Sequence, residues 1–203
     1  MSLEQEMKLT VKSEGKLDLT AVTWPEGLQA SEIKAISLLS AYYDTPELAL
    51  SKARLGLRLR RSDKQWLQTV KTSGKVVDGL HQRNEWEHPL ESELWDLEKL
   101  RETPVAELID DPTVWGSISP IFTTDFIRQI IYLTMNDGSK IELAYDYGKV
   151  FTDSNQSRIH EVELELVEGD VKHLRLVATY LETQLPISPS NISKAQMGYE
   201  LLK

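Results

Sequence analysis

From residue 3 to residue 11 the chain alternates. Leu3, Gln5, Met7, Leu9 and Val11 fall on one parity, and Glu4, Glu6, Lys8 and Thr10 on the other. A period of two predicts a β-strand with an apolar and a polar face. The same reasoning predicts strands over 55–61, 65–71, 81–87, 126–134, 140–147 and 159–167. Between two of them, Asn136-Asp137-Gly138 supplies the positive φ that a tight hairpin turn requires, so the predicted sheet is largely antiparallel. Helical patterns separate the strands over 31–42, 46–53, 92–100 with a broken continuation to 109, and 170–185, with a short helix from 193 to the end. The pattern over 170–185 is the clearest. Asp170 can cap it, and Val171, Leu174, Leu176, Val177, Leu181 and Leu185 recur at helical spacing. Strands and helices in this arrangement give an α+β class.

Most predicted strands carry their long charged side chains on one parity. Glu4, Glu6 and Lys8 share a face, as do Arg58 and Arg60, then Thr69 and Lys71, then Arg83, Glu85 and Glu87. Arg128 on one strand, Glu142 and Asp146 on the next, and Glu161, Glu163 and Glu165 on the last continue the pattern. The opposite parity is apolar, with Leu57 and Leu59, Ile141 and Leu143, and Val162, Leu164 and Leu166, and it suits the helices. On a single antiparallel strand a charged face ordinarily meets solvent. Across the set the signs segregate: carboxylates dominate the first and last strands, cations the second to fourth and the Arg128 strand. Turned inward around a barrel, these faces make a lumen with a basic wall and an acidic wall. Arg forks bind phosphate oxygens bidentately, Lys binds them as a point charge, and carboxylates hold Mg²⁺ or Mn²⁺, so the lumen suits a polyphosphate and its metal. Like charges on each wall would repel, which predicts a wet lumen and a fold stabilised by ligand.

Composition narrows the reading further. A chain of 203 residues with 40% hydrophobic and 27% charged positions fits one globular domain over 1–203. No run approaches the roughly 20 apolar residues of a membrane span, and the N-terminus has no apolar signal core, which predicts a soluble cytoplasmic protein without a membrane partner. The absence of cysteine excludes disulfides, a thiol nucleophile and thiolate metal sites. A net charge of −9 argues against a broad basic face for duplex nucleic acid, but not against a compact internal cluster of cations. His81, His88, His160 and His173 have no metal-binding spacing and read as structural or exposed; the five tryptophans are scattered and read as core or interface residues.

Glu4-x-Glu6-x-Lys8 resembles the ExExK signature of CYTH proteins, the triphosphate tunnel metalloenzymes. Further blocks agree in order: Tyr42-Tyr43-Asp44-Thr45, the Leu55-to-Arg60 strand, Val70-Lys71, Gly79-Leu80-His81-Gln82-Arg83 with Glu85, and Thr124-Asp125-Phe126 with Arg128. Asp146 with Gly148, Glu161-x-Glu163-x-Glu165, and Ser193-Lys194-Ala195 with Gly198-Tyr199 complete the set. The blocks cover essentially the whole chain and look most like the CYTH domain of bacterial inorganic triphosphatases, which often precedes a helical CHAD domain. The resemblance implies a closed antiparallel eight-stranded β-barrel with helices packed outside, and a chain that is one domain of a longer protein. The family usually carries Arg where Met197 stands, so one cation is missing from the terminal segment.

With the resemblance, Glu4, Glu6, Glu163 and Glu165 are the expected metal ligands, since alternate positions on two acidic strands let four carboxylates converge. Asp146 is an outer member of the acidic wall, with turn capping beside Gly148 as its alternative. Lys8, Arg58, Arg60, Lys71, Arg83, Arg128 and Lys194 are the expected phosphate ligands. Glu6 and Glu165 are the expected catalytic pair, holding a metal that activates water for in-line attack on the terminal phosphorus of inorganic triphosphate. No separate general base stands out. Class IV adenylyl cyclase and thiamine triphosphatase remain alternatives on the same fold, and a non-catalytic polyphosphate-binding module is the alternative of a different class.

Overall fold

The computed structural model describes residues 1–62 and 65–203. Its strands are β1 (Ser2–Val11), β2 (Leu28–Ala30), β3 (Lys34–Asp44), β4 (Leu55–Ser62), β5 (Gln65–Thr72), β6 (Lys75–Val77), β7 (Leu80–Leu90), β8 (Ser119–Met135), β9 (Lys140–Phe151), β10 (Gln156–Glu168) and β11 (Ile187–Pro189). Its helices are α1 (Ala49–Lys52), α2 (Leu97–Arg101), α3 (Ala106–Ile109), α4 (Pro112–Ser117), α5 (Lys172–Glu182) and α6 (Lys194–Glu200). The strands run β1-β10-β9-β8-β3-β4-β5-β7, and β7 pairs back onto β1 from Ser2↔Glu85 to Met7↔Leu80. Every neighbouring pair in this ring is antiparallel, so eight strands close a barrel, with β2, β6 and β11 as short additions. Among the described residues no helix is long and apolar enough to cross a membrane.

The apolar parity faces outward, under the helices. Met7, Leu9, Leu143, Leu164, Leu174 and Leu181 belong to one buried cluster, formed where α5 lies on β1, β10 and β11. Leu57 and Val70 join Leu50, Leu100, Val105 and Ile109 beneath α1, α2 and α3. Helices of four or five residues do not persist alone. These are held by burying one or two such side chains each, worth about 1.5–3 kcal/mol apiece. Trp86, Trp95 and Trp115 pack on the same cluster and Trp24 on the first, as core residues.

A third cluster has the opposite orientation. Leu38, Tyr42, Phe122, Phe126, Val150 and Ile159 pack with Ala195, Met197 and Tyr199 of α6. Phe126 shares its parity with Arg128, and Ile159 with Glu161, so α6 seats against the inward side of one barrel end. Met197 therefore contributes packing where the family pattern has a cation.

Two elements differ from the sequence reading. The helix expected over 31–42 is the strand β3, which pairs with β4 on one side and β8 on the other. Both faces of β3 are partly apolar: Leu38 and Tyr42 enter the α6 cluster while Tyr43 packs edge-on against Trp95. That two-sided burial erases the period of two. The helix expected over 92–100 with a broken continuation to 109 is the short α2, which starts later, and the separate α3, followed by an unanticipated α4 that Asp111 caps through the amides of Thr113 and Val114. Gly148 is not in a turn but within β9, where a Cβ would lie 2.2 Å from the Asp125 carbonyl oxygen, so the capping alternative for Asp146 falls. The hairpin expected at 136–138 joins β8 to β9, with Gly138 at φ +86°.

Candidate functional site

The barrel encloses a cavity of about 630 Å³. Parity decides what reaches it. Arg58 and Arg60 of β4, Lys71 of β5, Arg83 of β7 and Arg128 of β8 line it with Glu4, Glu6 and Lys8 of β1 and Glu163 and Glu165 of β10. Lys194 of α6 joins them. Eleven of the twelve expected site residues thus share one cavity. Asp146 lies beneath the lining, fully buried, where Arg128 donates to its carboxylate in a fork at 2.8 and 2.7 Å.

The two walls neutralise each other across the lumen, which the expectation of like charges repelling within each wall did not anticipate. Lys8 pairs with Glu163 and, at 3.1 Å, with Glu6. Lys71 reaches Glu4 at 2.7 Å and Glu85 at 3.0 Å. Arg83 bonds Glu4 at 2.5 Å and Glu6 at 2.6 Å. Arg128 also contacts Glu163. Lys194 is held by Glu161, by Asp146 at 2.6 Å and by Glu163 at 2.9 Å. Its ammonium thus bonds all three carboxylates of the buried group Asp146, Glu161 and Glu163, a place a metal ion could otherwise take.

Three side chains stand outside this balance. Arg58 donates to the Thr69 hydroxyl at 3.0 Å but has only distant carboxylates, Glu87 at 3.4 Å and Glu85 at 3.9 Å, and its buried Nε has no partner. Arg60 donates to the Ser40 hydroxyl at 3.1 Å and, among the described residues, forms no ion pair. Burial, then the neighbouring charges of Arg58 and Arg128, pull its guanidinium down to about 10. Glu165 likewise forms no ion pair, and burial with the repulsion of Glu4 pushes its carboxyl up to about 7. Burial also raises the Glu161 carboxyl and lowers the His81 ring, whereas at Glu163, Lys8 and Lys194 the charged forms are favoured. Burial opposes the charge of Glu163, but Lys194, Lys8 and Arg128 hold its carboxyl well below the usual range. Burial likewise opposes the charges of Lys8 and Lys194, and their carboxylate partners raise both.

Several residues without an expected role belong here. Glu85, Glu142 and His81 line the cavity on the same parity as the expected residues, and that parity was the available signal. Tyr42 stacks on Phe122 at 4.6 Å; burial opposes ionisation of its phenol, but Arg58 and Arg60 lower its pKa. No periodicity pointed to Tyr42, because it lies on the strand misread as a helix. Asp44, fully buried, accepts from the amides of Thr45, Leu50 and Ser51 and from the Tyr199 hydroxyl, and so ties α6 to the end of β3.

The CYTH domain family matches residues 2–199 of the chain. An inorganic triphosphatase of Haemophilus influenzae is 36% identical over 205 residues, covering 99% of this chain and 55% of that protein. The chain thus spans about half the length of this curated relative. Among solved structures, the HpAC1 protein of Hippeastrum, described as having a dominant triphosphatase activity, superposes with a TM-score of 0.65 at 16% identity over 97% of this chain and 95% of its own. The PH1819 protein of Pyrococcus horikoshii OT3 gives 0.53 at 17% identity over 96% and 98%. At these identities both likenesses speak to the barrel alone.

Proposed function

Taking as premise that the chain belongs to the CYTH family, we propose that it hydrolyses inorganic triphosphate to pyrophosphate and phosphate inside the barrel, with a divalent cation. The observation that carries this reading is the under-compensated pair Arg58 and Arg60, set deep in a cavity where Lys8, Lys71, Arg83, Arg128 and Lys194 are each matched to carboxylates. A buried and a half-buried guanidinium group, the first with a free donor, call for an anion with several oxygens. The relative from Haemophilus influenzae, an inorganic triphosphatase, supports triphosphate as that anion.

Binding would exchange one set of pairs for another. Phosphate oxygens would take Lys71, Arg83 and Arg128 from their carboxylates while also satisfying Arg58 and Arg60. The carboxylates so released, Glu4 and Glu6, lie beside unpaired Glu165, and Glu163 stands opposite Lys8 in the β1–β10 ladder. This cluster of hard oxygen donors fits Mg²⁺ or Mn²⁺. When bound there, such an ion would neutralise phosphate charge and lower the pKa of a bound water. The chain's own contribution is positioning. The basic wall fixes the phosphate chain along the barrel, Glu6 and Glu165 supply charge at one level of the acidic wall, and the barrel limits competing water.

A phosphate-release assay over inorganic triphosphate, ATP, thiamine triphosphate and long-chain polyphosphate, with cyclic AMP measured in the ATP sample, tests the proposal. Preferential, metal-dependent release from inorganic triphosphate is expected. Cyclic AMP formation, or binding without turnover of any of the four, would contradict it.

A further inference from the structure

The basic wall does not end at the triphosphate-sized part of the lumen. Arg54 immediately precedes β4, whose inward side chains are Arg58 and Arg60, and Ser73 and Gly74 connect the end of β5, with inward Lys71, to Lys75 at the start of β6. The two segments lie side by side, since Gly56 pairs with Lys71 and the Ser73 amide donates to the Arg54 carbonyl. Arg54, Ser73, Gly74, Lys75 and Val76 all line the same cavity and are all exposed, which puts them at its mouth. Neither Arg54 nor Lys75 has an ion-pair partner among the described residues, unlike most cations deeper in the barrel.

Arg54 also holds a left-handed backbone, φ +62°, where Gly or Asn is the unstrained choice. Strain of this kind at a non-glycine residue persists only where the surroundings impose it, and it marks sites worth a functional reading. Here the strained residue is one that lines the cavity.

We propose that Arg54 and Lys75 form an outer anion subsite, which takes the phosphates of an inorganic polyphosphate longer than three units when its end lies among Arg58, Arg60 and Lys71. Arg54 and residues 73–76 include no aromatic side chain, and their polar side chains are cations and a hydroxyl, so the ligand proposed is a phosphate chain rather than a nucleoside. The proposal rests on the triphosphate reading of the inner cavity.

Calorimetric binding of inorganic triphosphate, tetraphosphate and long-chain polyphosphate to chelator-treated protein, so that no turnover intervenes, tests it with an Arg54→Asn/Lys75→Gln double variant. Asn suits the left-handed backbone, so an unchanged or raised melting temperature verifies the fold. For two solvent-facing cations the long-chain affinity is expected to fall about fivefold or more, with triphosphate held within about twofold, and the difference to vanish in high salt. Equal long-chain affinity in parent and variant, or an equal loss for triphosphate and long chain, overturns the subsite. If the parent releases no phosphate from triphosphate yet the chain-length-dependent loss is seen, the subsite stands and the hydrolytic reading falls.

Discussion

Glu6 and Glu165 stand directly opposite one another in the β1–β10 ladder, two carboxylates at one level of one wall. Glu6 is matched by Arg83 at 2.6 Å and Lys8 at 3.1 Å, whereas Glu165 forms no ion pair among the described residues.

The first prediction concerns pH. Glu165 is raised from 4.5 to about 7 by burial and by Glu4. Between those values the folded chain keeps a proton that the unfolded chain has lost, so stability from this group is present at low pH and declines as pH rises through 7. In chelator-treated, ligand-free protein, Glu165→Gln should remove that decline and be more stable at pH 8 by on the order of 2 kcal/mol. Thermal melts across pH 5–8 check this; identical profiles would mean that Glu165 is not confined with like charge.

The walls should also separate in kinetics. Arg58→Ala removes a fork from oxygens charged in both ground and transition states, so it should weaken triphosphate binding by about 1.5–3 kcal/mol and lower turnover with it. Glu165→Gln leaves the basic wall in place and should reduce single-turnover rates far more than affinity. Calorimetry beside single-turnover assays distinguishes them, and a Glu165→Gln variant that turns over like the parent would remove the acidic wall from the chemistry.

A third expectation concerns how α6 is held. Asp44 satisfies three backbone amides and the Tyr199 hydroxyl from a fully buried position. Asp44→Ala orphans these donors and should cost about 3–4 kcal/mol, while Tyr199→Phe loses one bond and about 1 kcal/mol. Denaturant unfolding measures both, and equal costs would mean that the amides of Leu50 and Ser51 have other partners.

Much of this was legible in the residues because a barrel keeps a strict period of two. Glu4, Glu6 and Lys8, or Arg58 and Arg60, announce a common face before any coordinates, and the opposite parity announces the helices. The closure of eight strands rested on the resemblance, since alternation sets faces but not strand number. What alternation missed lies where both faces are buried. Tyr42 was hidden because β3 is partly apolar on both sides, and the third cluster was hidden because Phe126 and Ile159 are apolar on the inward parity. Partners were hidden for another reason: parity places Lys194 and Asp146 in the same region without telling whether they face a ligand or each other. The structure pairs them at 2.6 Å.

The most direct test of the whole account is phosphate release from inorganic triphosphate by the parent protein, with Mg²⁺ or Mn²⁺ and again in excess chelator. The exchange of internal ion pairs for phosphate and cation predicts turnover with metal, its loss in chelator, and recovery when metal is returned. Undiminished turnover in excess chelator would contradict the account, because a triphosphate would then be hydrolysed beside Glu4, Glu6, Glu163 and Glu165 with nothing to neutralise their charge.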